Sequence, residues 1–391
     1  MKHYTYLIVG GGMTADAAVK GIRGVDTKGN IGIVSMENDP PYFRPPLSKG
    51  LWTGDSKVED IDCDTAAKDA EIVVGRQIVS FDPGKRIATD HEGGTYGYDR
   101  LLLATGGAPR RLPLDATGVI YYRTLADYKQ LRELTKSAKR FAILGGGFIG
   151  SEIAAALKQN GQQVTMVFPE TGIGGRILPP DFSKVLTRYY LDHDIKVVPE
   201  LKPSGLHQKD GEFTVHLENG HAFPVDGVVA GIGIIPNTQL AAEAGLEVDN
   251  GIVVDDQLRT KAPNVFAAGD VANFYNPALD ERLRVEHEDN ALTMGETAGR
   301  NMAGEEQPYH HLPFFYSDLF DAGYEAVGKI DSSLNMVANL TDPQGKGCIF
   351  YLESERVRGV IFWNVFGKVD AGRDFPSTHA CGSSTEGDEP S

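Results

Sequence analysis

Short apolar runs rich in β-branched residues recur along the chain, separated by glycine-containing turns and by amphipathic stretches. Two of these runs lead into the same pattern: residues 6–22 read YLIVGGGMTADAAVKGI and residues 141–157 read FAILGGGFIGSEIAAAL. Each reads as a buried strand, three glycines and a helix of small residues. The two copies lie too far apart for a solenoid repeat. The pattern therefore indicates one nucleotide-binding unit used twice.

The remaining apolar runs predict further strands and helices around these two units. The predicted strands are residues 31–35, 71–74, 98–104, 164–168, 195–198, 213–218, 227–231 and 264–268. The predicted helices are residues 129–136, 182–193 and 286–302. After residue 308, alternating strands near 348–352 and 357–364 predict a third, smaller α+β module.

Composition and charge narrow the class of protein. The 391 residues carry a net charge of −16, which disfavours nucleic-acid binding because that needs clustered positive charge. No apolar run approaches the length of a membrane-spanning helix, so we expect no such helix. Strand-like residues begin by Tyr4, which leaves no room for a targeting segment. Cys63, Cys348 and Cys381 are too far apart for CxxC spacing, so we expect no metal and a cytoplasmic protein.

The first glycine cluster has the context of a dinucleotide-binding fingerprint. Gly10, Gly12 and Ala15 follow a strand and open a helix. The first glycine allows the tight turn, the second lets backbone approach a pyrophosphate, and the third small residue lets helix pack on strand. Glu37 ends the next strand, where an acid binds a ribose hydroxyl. The alternative is a glycine-rich turn without a ligand.

The second cluster repeats the fingerprint with a full third glycine. Gly145, Gly147 and Gly150 open the second helix, and Glu170 follows the next strand. A carboxylate there would accept both ribose hydrogens and repel a 2′-phosphate, which favours NADH over NADPH. Two alternatives stay open: Glu170 is a solvated loop acid, or the nearby Arg176 compensates a phosphate.

Three further strand ends carry glycines or an acid. They are residues 101–109 (LLLATGGAP, with Thr105 and Gly106), 229–237 (VAGIGIIPN, with Gly231 and Gly233) and 264–271 (NVFAAGDV, with Gly269 and Asp270). An acid placed like Asp270 can bind a ribityl hydroxyl of a flavin. Singly each segment reads as a strand-end turn. Together they indicate a permanently bound flavin and a nicotinamide coenzyme that binds and dissociates.

In this order the motifs resemble those of the two-dinucleotide flavoprotein reductases, over residues 1 to about 310. The segment PPYFRPPLSKGLW, residues 40–52, is similar to the ferredoxin-reductase branch. The segments RVEHEDN, residues 284–290, and GCIFYLESERVRGVIFWNV, residues 347–365, resemble the apoptosis-inducing factor family. The sequence lacks the cysteine pair that glutathione-reductase-like members use as a thiol relay.

The resemblance implies an α/β fold with two Rossmann-like, three-layer dinucleotide-binding domains of glutathione-reductase type and a small C-terminal α+β domain. The implied FAD-binding domain comprises residues 1–112 and 241–312, and the NADH-binding domain comprises residues 113–240. The implied C-terminal domain is 313–378, followed by a disordered tail at 379–391.

The resemblance also implies roles for individual residues. It places Lys49 beside flavin N5 with Glu152 as its partner, and His287 at the flavin edge after Glu286. The FAD set is Gly10, Gly12, Ala15, Glu37, Arg44, Pro45, Lys49, Thr105, Gly106, Gly269, Asp270, Glu286, His287 and Tyr316. The NADH set is Gly145, Gly147, Phe148, Ile149, Gly150, Glu152, Glu170, Arg176, Gly231 and Gly233. Phe148 is expected between the two rings. Tyr316 stands where many relatives have tryptophan, which weakens the expectation for that position.

The function implied is an FAD-containing NADH oxidoreductase that transfers hydride from NADH to flavin N5. The second acceptor is not fixed by these residues, and a ferredoxin, a rubredoxin, a quinone or oxygen stays open. One alternative is an NADH-sensing flavoprotein with slow turnover that acts through conformational change or dimerisation. Another is the ferredoxin or rubredoxin reductase of an oxygenase system. Both a monomer and an NADH-dependent dimer are compatible with the sequence.

Overall fold

The computed structural model describes residues 1–114, 117–341 and 345–375. The tail expected to be disordered, residues 379–391, lies outside these residues. The helices are α1 (Met13–Arg23), α2 (Gly50–Thr53), α3 (Leu125–Leu134), α4 (Phe148–Gln159), α5 (Pro180–Asp192), α6 (Gln239–Glu243), α7 (Glu288–Met302) and α8 (Val369–Asp374). Short 3-10 helices lie at Pro45–Ser48, Val58–Ile61, Thr65–Lys68 and Gly269–Val271.

The strands are numbered in chain order and form six sheets in the described residues. They are β1 (Lys2–Val9), β2 (Ile31–Val34), β3 (Ala70–Val73), β4 (Ile78–Asp82), β5 (Ile87–Asp90), β6 (Thr95–Leu103), β7 (Gly107–Pro109), β8 (Ile120–Tyr121), β9 (Arg140–Leu144), β10 (Gln163–Val167), β11 (Lys196–Val198), β12 (Pro203–Lys209), β13 (Glu212–Leu217), β14 (Ala222–Val225), β15 (Gly227–Ala230), β16 (Ile234–Pro236), β17 (Ile252–Val253), β18 (Val265–Ala267), β19 (Ala272–Asn276), β20 (Glu281–Leu283), β21 (Phe314–Leu319), β22 (Ala322–Gly328), β23 (Asn335–Leu340), β24 (Gly347–Glu353) and β25 (Arg356–Trp363).

The first sheet joins the two ends of the α/β part of the chain. Its order is β3-β2-β1-β6-β5-β4, and β18 pairs with the last residues of β6. The pairs β2–β3, β1–β2, β1–β6 and β6–β18 are parallel. Parallel strands need crossover connections, which helices provide. Strand β18 thus completes the first sheet, although the second nucleotide-binding unit lies between β6 and β18 in the sequence.

The second sheet is wholly parallel, in the order β11-β10-β9-β15-β8. The antiparallel meander β12-β13-β14 precedes β15 in the chain, and the two-stranded β7–β16 ribbon marks the passage between the two nucleotide-binding units. The C-terminal sheet is antiparallel, in the order β21-β22-β25-β24-β23, and α8 packs on β22. This confirms the predicted α/β fold with a small C-terminal α+β part. The domain boundaries at residues 112, 240 and 312 stay a prediction.

The predicted elements agree with the structure within a few residues, and the exceptions have local causes. Helix α3 begins at Leu125, before the predicted 129, because Thr124 and Asp127 form a capping box at its start. Helix α7 begins at Glu288, and His287 is its N-cap. The β4–β5 hairpin was not predicted. No helix among the described residues is long and apolar enough to span a membrane.

Helices α1 and α7 pack closely because glycines lie at their contact. A Cβ added to Gly299 would lie 2.1 Å from the carbonyl oxygen of Ala18, and one added to Gly21 would lie 2.1 Å from that of Glu296. Only a residue without a side chain permits this approach. Since α1 follows the first fingerprint, this packing positions its N-terminus.

We predict that Gly299→Ala lowers the free energy of unfolding by about 1 to 3 kcal/mol, because the added methyl must push the two helices apart. Urea denaturation of the whole chain measures the change. Thr297→Ala on the same helix is the control, since its hydroxyl bonds only back to the Thr293 carbonyl. Equal stability of the wild-type and Gly299→Ala proteins would show that the helices separate without cost.

Candidate functional site

One continuous cavity of about 2320 Å³ connects the two fingerprints. Of the twenty-four predicted site residues, twenty-one line it. The other three, Ala15, Gly150 and Gly269, lie behind its wall, where they allow close packing. Ala15 is fully buried, and a Cβ on Gly269 would lie 2.3 Å from the Thr14 hydroxyl. The cavity exceeds the usual range of about 300–1,000 Å³ for a ligand pocket, which leaves room for more than one nucleotide.

The first fingerprint forms an open cradle at the start of α1. Gly10 has φ +116°, and its Cβ would lie 2.1 Å from the Ala104 carbonyl oxygen. A Cβ on Gly12 would meet only the Arg44 guanidinium, at 3.9 Å. Gly12 is the N-cap of α1, and no side chain caps the helix. An uncapped helix N-terminus facing open space is suited to a phosphate group.

The second fingerprint has the same geometry. Gly145 has φ +118° and would bring a Cβ within 2.3 Å of the Gly231 carbonyl oxygen. A Cβ on Gly147, the uncapped N-cap of α4, would meet no atom within 4 Å, whereas one on Gly150 would lie 2.1 Å from the Gly145 carbonyl oxygen. The residues present therefore fit two dinucleotides, one at each helix start.

The acids beside the first cradle are held by arginines. Glu37 forms an ion pair with Arg44 and accepts a hydrogen bond of 2.7 Å from the Tyr42 hydroxyl. Asp270 pairs with Arg123 at 2.6 Å. The Arg44 guanidinium also donates to the Arg123 carbonyl oxygen at 3.0 Å. This alternation of charge along one wall offers both anion and hydroxyl partners to a bound nucleotide.

Arg123 was missed by the sequence analysis. It follows β8, so its position at the end of a parallel strand was a usable signal. Arg284 was missed as well: it donates to the Asp270 carbonyl oxygen at 3.0 Å and pairs with Glu286 at 2.7 Å. Its Nε is buried without a partner in the described residues.

The acid beside the second cradle is paired at the protein surface. The Glu170 carboxylate receives the Arg176 Nε at 2.7 Å. Glu170 is largely covered, whereas the Arg176 side chain is 77% exposed. Because exposed ion pairs are weak, Arg176 can exchange readily between Glu170 and solvent.

A buried ion pair lies between the two cradles. The Lys49 ammonium pairs with Glu152, whose side chain is 5% exposed. The Glu152 carboxylate also accepts hydrogen bonds from the hydroxyls of Ser48 at 2.6 Å and Ser317 at 2.7 Å. The pair thus joins the first segment, helix α4 and the C-terminal sheet. Ser48 and Ser317 were missed, because they act through Glu152 and have no motif of their own.

Aromatic rings surround the start of α7. His287 stacks on Phe315 with ring centroids 4.2 Å apart, and Phe148 meets both rings edge-on. Burial lowers the pKa of His287 to about 4, so the ring is neutral near pH 7. The Lys49 ammonium lies 5.2 Å from the centre of the Tyr316 ring. Phe315 was missed by the sequence analysis.

Burial also affects the acid next to His287. It raises the pKa of Glu288, which accepts a hydrogen bond of 3.5 Å from the Tyr316 hydroxyl. Among the described residues no group of three or more His, Cys, Asp and Glu side chains could hold a metal ion. The cavity joins two nucleotide cradles and has the Lys49 ammonium between them, an arrangement suited to hydride transfer between stacked rings.

Comparisons with known proteins agree with this geometry. Residues 4–295 match the family described as pyridine nucleotide-disulphide oxidoreductase, and residues 298–344 match the C-terminal region of mitochondrion-associated apoptosis-inducing factor. The chain is 34% identical to mitochondrial apoptosis-inducing factor 1 of Dictyostelium discoideum, over 96% of this chain and 78% of that protein. It is 30% identical to putidaredoxin reductase of Pseudomonas putida, over 90% of this chain and 87% of that protein.

Solved structures are similar as well. The putidaredoxin reductase in a covalent complex with putidaredoxin superposes with a TM-score of 0.89 at 28% identity, over 96% of this chain and 94% of that chain. The ferredoxin reductase of the CYP199A2 system from Rhodopseudomonas palustris gives a TM-score of 0.88 at 27% identity, over 97% and 98%.

We predict that Gly147→Ala leaves stability within about 1 kcal/mol of wild type, the usual effect at an N-cap, while NADH binding weakens about tenfold or more. The open space at Gly147 is where we expect the pyrophosphate of the coenzyme to lie. Gly150→Ala is the matched comparison and should instead lower stability. Calorimetry of binding and thermal unfolding measure both. Unchanged NADH affinity in Gly147→Ala would place the coenzyme elsewhere.

We predict that His287 makes stability fall as pH drops from about 6.5 to about 4. The pKa of His287 is about 4 in the folded protein against 6.5 for an ordinary histidine, so the unfolded chain binds that proton first. Urea midpoints at pH 7 and pH 4.5 should differ less in His287→Gln than in wild type. The exposed His221 supplies the control, His221→Gln. An equal pH difference in all three proteins would contradict the burial of His287.

Proposed function

The chain belongs to the pyridine nucleotide-disulphide oxidoreductase family, and from this premise we propose that it passes electrons from NADH through FAD to a ferredoxin- or rubredoxin-type carrier. The observation that carries the transfer from NADH to FAD is the buried Lys49–Glu152 pair between two uncapped helix N-termini. The protein is an FAD-dependent NAD(P)H oxidoreductase. When bound, the flavin accepts a hydride and releases electrons one at a time.

The first cradle is the proposed FAD site. The N-terminus of α1 and the open face of Gly12 receive the pyrophosphate, because that helix has no side-chain cap. Glu37 accepts from the adenosine ribose hydroxyls. Asp270, fixed by Arg123, accepts from the ribityl chain. Arg44 lies between these two acids and neutralises phosphate charge.

The second cradle is the proposed NADH site. The N-terminus of α4 and Gly147 receive its pyrophosphate, and Glu170 accepts from its ribose. Phe148 begins α4 and contacts both Phe315 and His287, which supports its proposed place between the two rings. Proximity and orientation, rather than a proton donor, make this transfer fast.

The roles of Lys49 and His287 are electrostatic. We assign Lys49 as the cation beside flavin N5, where it would stabilise negative charge on the ring when FAD is bound. The position of the Lys49 ammonium depends on Glu152, whose carboxylate is buried and therefore cannot turn out into solvent. His287 is neutral near pH 7 and occupies the N-cap position of α7 without a side-chain hydrogen bond to the helix. We therefore assign the positive potential at the far ring edge to the helix N-terminus.

The acceptor is proposed from the relatives. Two relatives from Pseudomonas putida are named as reductases of putidaredoxin and of rubredoxin. A second candidate function, an NADH sensor with slow turnover, is favoured by the match of residues 298–344 to apoptosis-inducing factor.

Cys63 and Cys348 are unpaired, which suits a reducing compartment such as the cytoplasm.

Anaerobic NADH titration followed by stopped-flow reoxidation distinguishes these functions. Under the proposed function the yellow protein is bleached by NADH and is reoxidised rapidly by an added ferredoxin or rubredoxin. A persistent long-wavelength charge-transfer band with slow reoxidation by every carrier, and a change in size on gel filtration, would instead establish the sensor. A colourless protein that cannot be reconstituted with FAD would overturn both.

We predict that Lys49→Ala and Glu152→Ala each slow flavin reduction by NADH about a hundredfold, the usual effect of one lost electrostatic group. The double variant should be no slower than either single variant, since both act through one ammonium. Single-turnover absorbance measures the rates. FAD should stay bound in all three proteins. Loss of FAD would mean that the pair is structural, and wild-type rates would mean that Lys49 lies elsewhere.

We predict that NADH reduces the flavin much faster than NADPH, because the Glu170 carboxylate repels a 2′-phosphate. Glu170→Gln should narrow the difference by improving NADPH. Arg176→Ala tests the alternative that this arginine compensates the phosphate, and it should leave NADH unchanged. Equal single-turnover efficiency with both coenzymes in the wild-type protein would contradict the assignment of Glu170.

A further inference from the structure

Strand β21 directs one buried hydroxyl toward the ion pair between the cradles. Ser317 is 1% exposed, whereas Tyr316 and Asp318 on either side of it are not buried. Successive side chains of a strand point to opposite faces, so Ser317 is the inward-facing member of this group. Its Oγ donates to Glu152 Oε1 at 2.7 Å, and β21 packs on α4, which carries Glu152.

The Glu152 carboxylate has three donors, with at least one on each oxygen. Oε1 receives Ser317 and the Lys49 ammonium, and Oε2 receives Ser48 at 2.6 Å. Ser48 and Glu152 are both buried, so water cannot readily replace a lost donor. A carboxylate held at both oxygens has one orientation, and its ammonium partner consequently has one position.

We propose that Ser317 is a positioning residue for Lys49, acting through Glu152. The hydroxyl fixes Oε1, and the fixed Oε1 places the ammonium. This hydrogen bond couples the C-terminal sheet to the Glu152 carboxylate, so a shift of β21 would move the cation. This inference rests on the proposed function, because it takes Lys49 as the cation beside the flavin.

Ser317→Ala tests the inference, with the flavin midpoint potential as the main measurement. Without the hydroxyl the ammonium loses its fixed position, so the potential should fall by about 30 mV, a tenfold change in a two-electron equilibrium. Reduction by NADH should slow by about tenfold, in line with one lost hydrogen bond to a charged group. Ser317→Thr keeps a hydroxyl and should restore both values.

Ser183→Ala is the matched control. Ser183 is also fully buried, and its hydroxyl donates to the Ile173 carbonyl oxygen at 2.8 Å, away from Glu152. It should lose stability much as Ser317→Ala does, with an unchanged potential. If Ser317→Ala fails to fold, Ser48→Ala takes its place as the test of the carboxylate's orientation. It removes the donor at the other carboxylate oxygen and should also lower the flavin potential.

The decisive comparison uses a Lys49→Met background. If Ser317 acts through Lys49, Ser317→Ala should not change the potential once the ammonium is absent. An equal drop in both backgrounds, or a wild-type potential in Ser317→Ala, would overturn the inference. The proposed function fails separately, by absence of bound FAD or of reduction by NADH in the wild-type protein.

Discussion

The buried carboxylate of Glu152 is the constraint on which the site depends. A charge taken out of water is costly unless it is paired and hydrogen-bonded. Glu152 lies on helix α4, and its partners come from two distant parts of the chain, Lys49 and Ser48 in one and Ser317 in the other. The carboxylate is stable only when all of these parts are in place. Folding of the separate sheets is therefore linked to assembly of the cation site.

The two nucleotide cradles follow a second constraint, the packing of glycines. At Gly10 and Gly145 an added methyl would collide with backbone, and at Gly12 and Gly147 it would project into open space. The first pair sets the turn, and the second leaves room for a ligand at an uncapped helix start. Because both cradles open into one cavity, two bound nucleotides would be directed toward Lys49 between them.

The parts of the site that a local sequence pattern determines could be predicted from the sequence. The fingerprint glycines, Glu37 and Glu170 are found from a strand, a turn and a helix in order, and the parallel strand pairs of the first two sheets follow from the same signals. The pairing of Lys49 with Glu152 came from resemblance. Arg123, Ser317 and Phe315 were missed because their partners lie far away in the sequence, and serine or phenylalanine in a strand has no local signature.

The measurement that tests the central claim most directly is a crystal structure of the protein with FAD and NAD⁺ bound. The account predicts that the Lys49 ammonium lies within hydrogen-bonding distance of flavin N5, about 3 Å, while it remains paired with Glu152 and both serine hydroxyls remain on that carboxylate. A Lys49 side chain turned away from the flavin, or a Glu152 carboxylate released from Lys49, would contradict it.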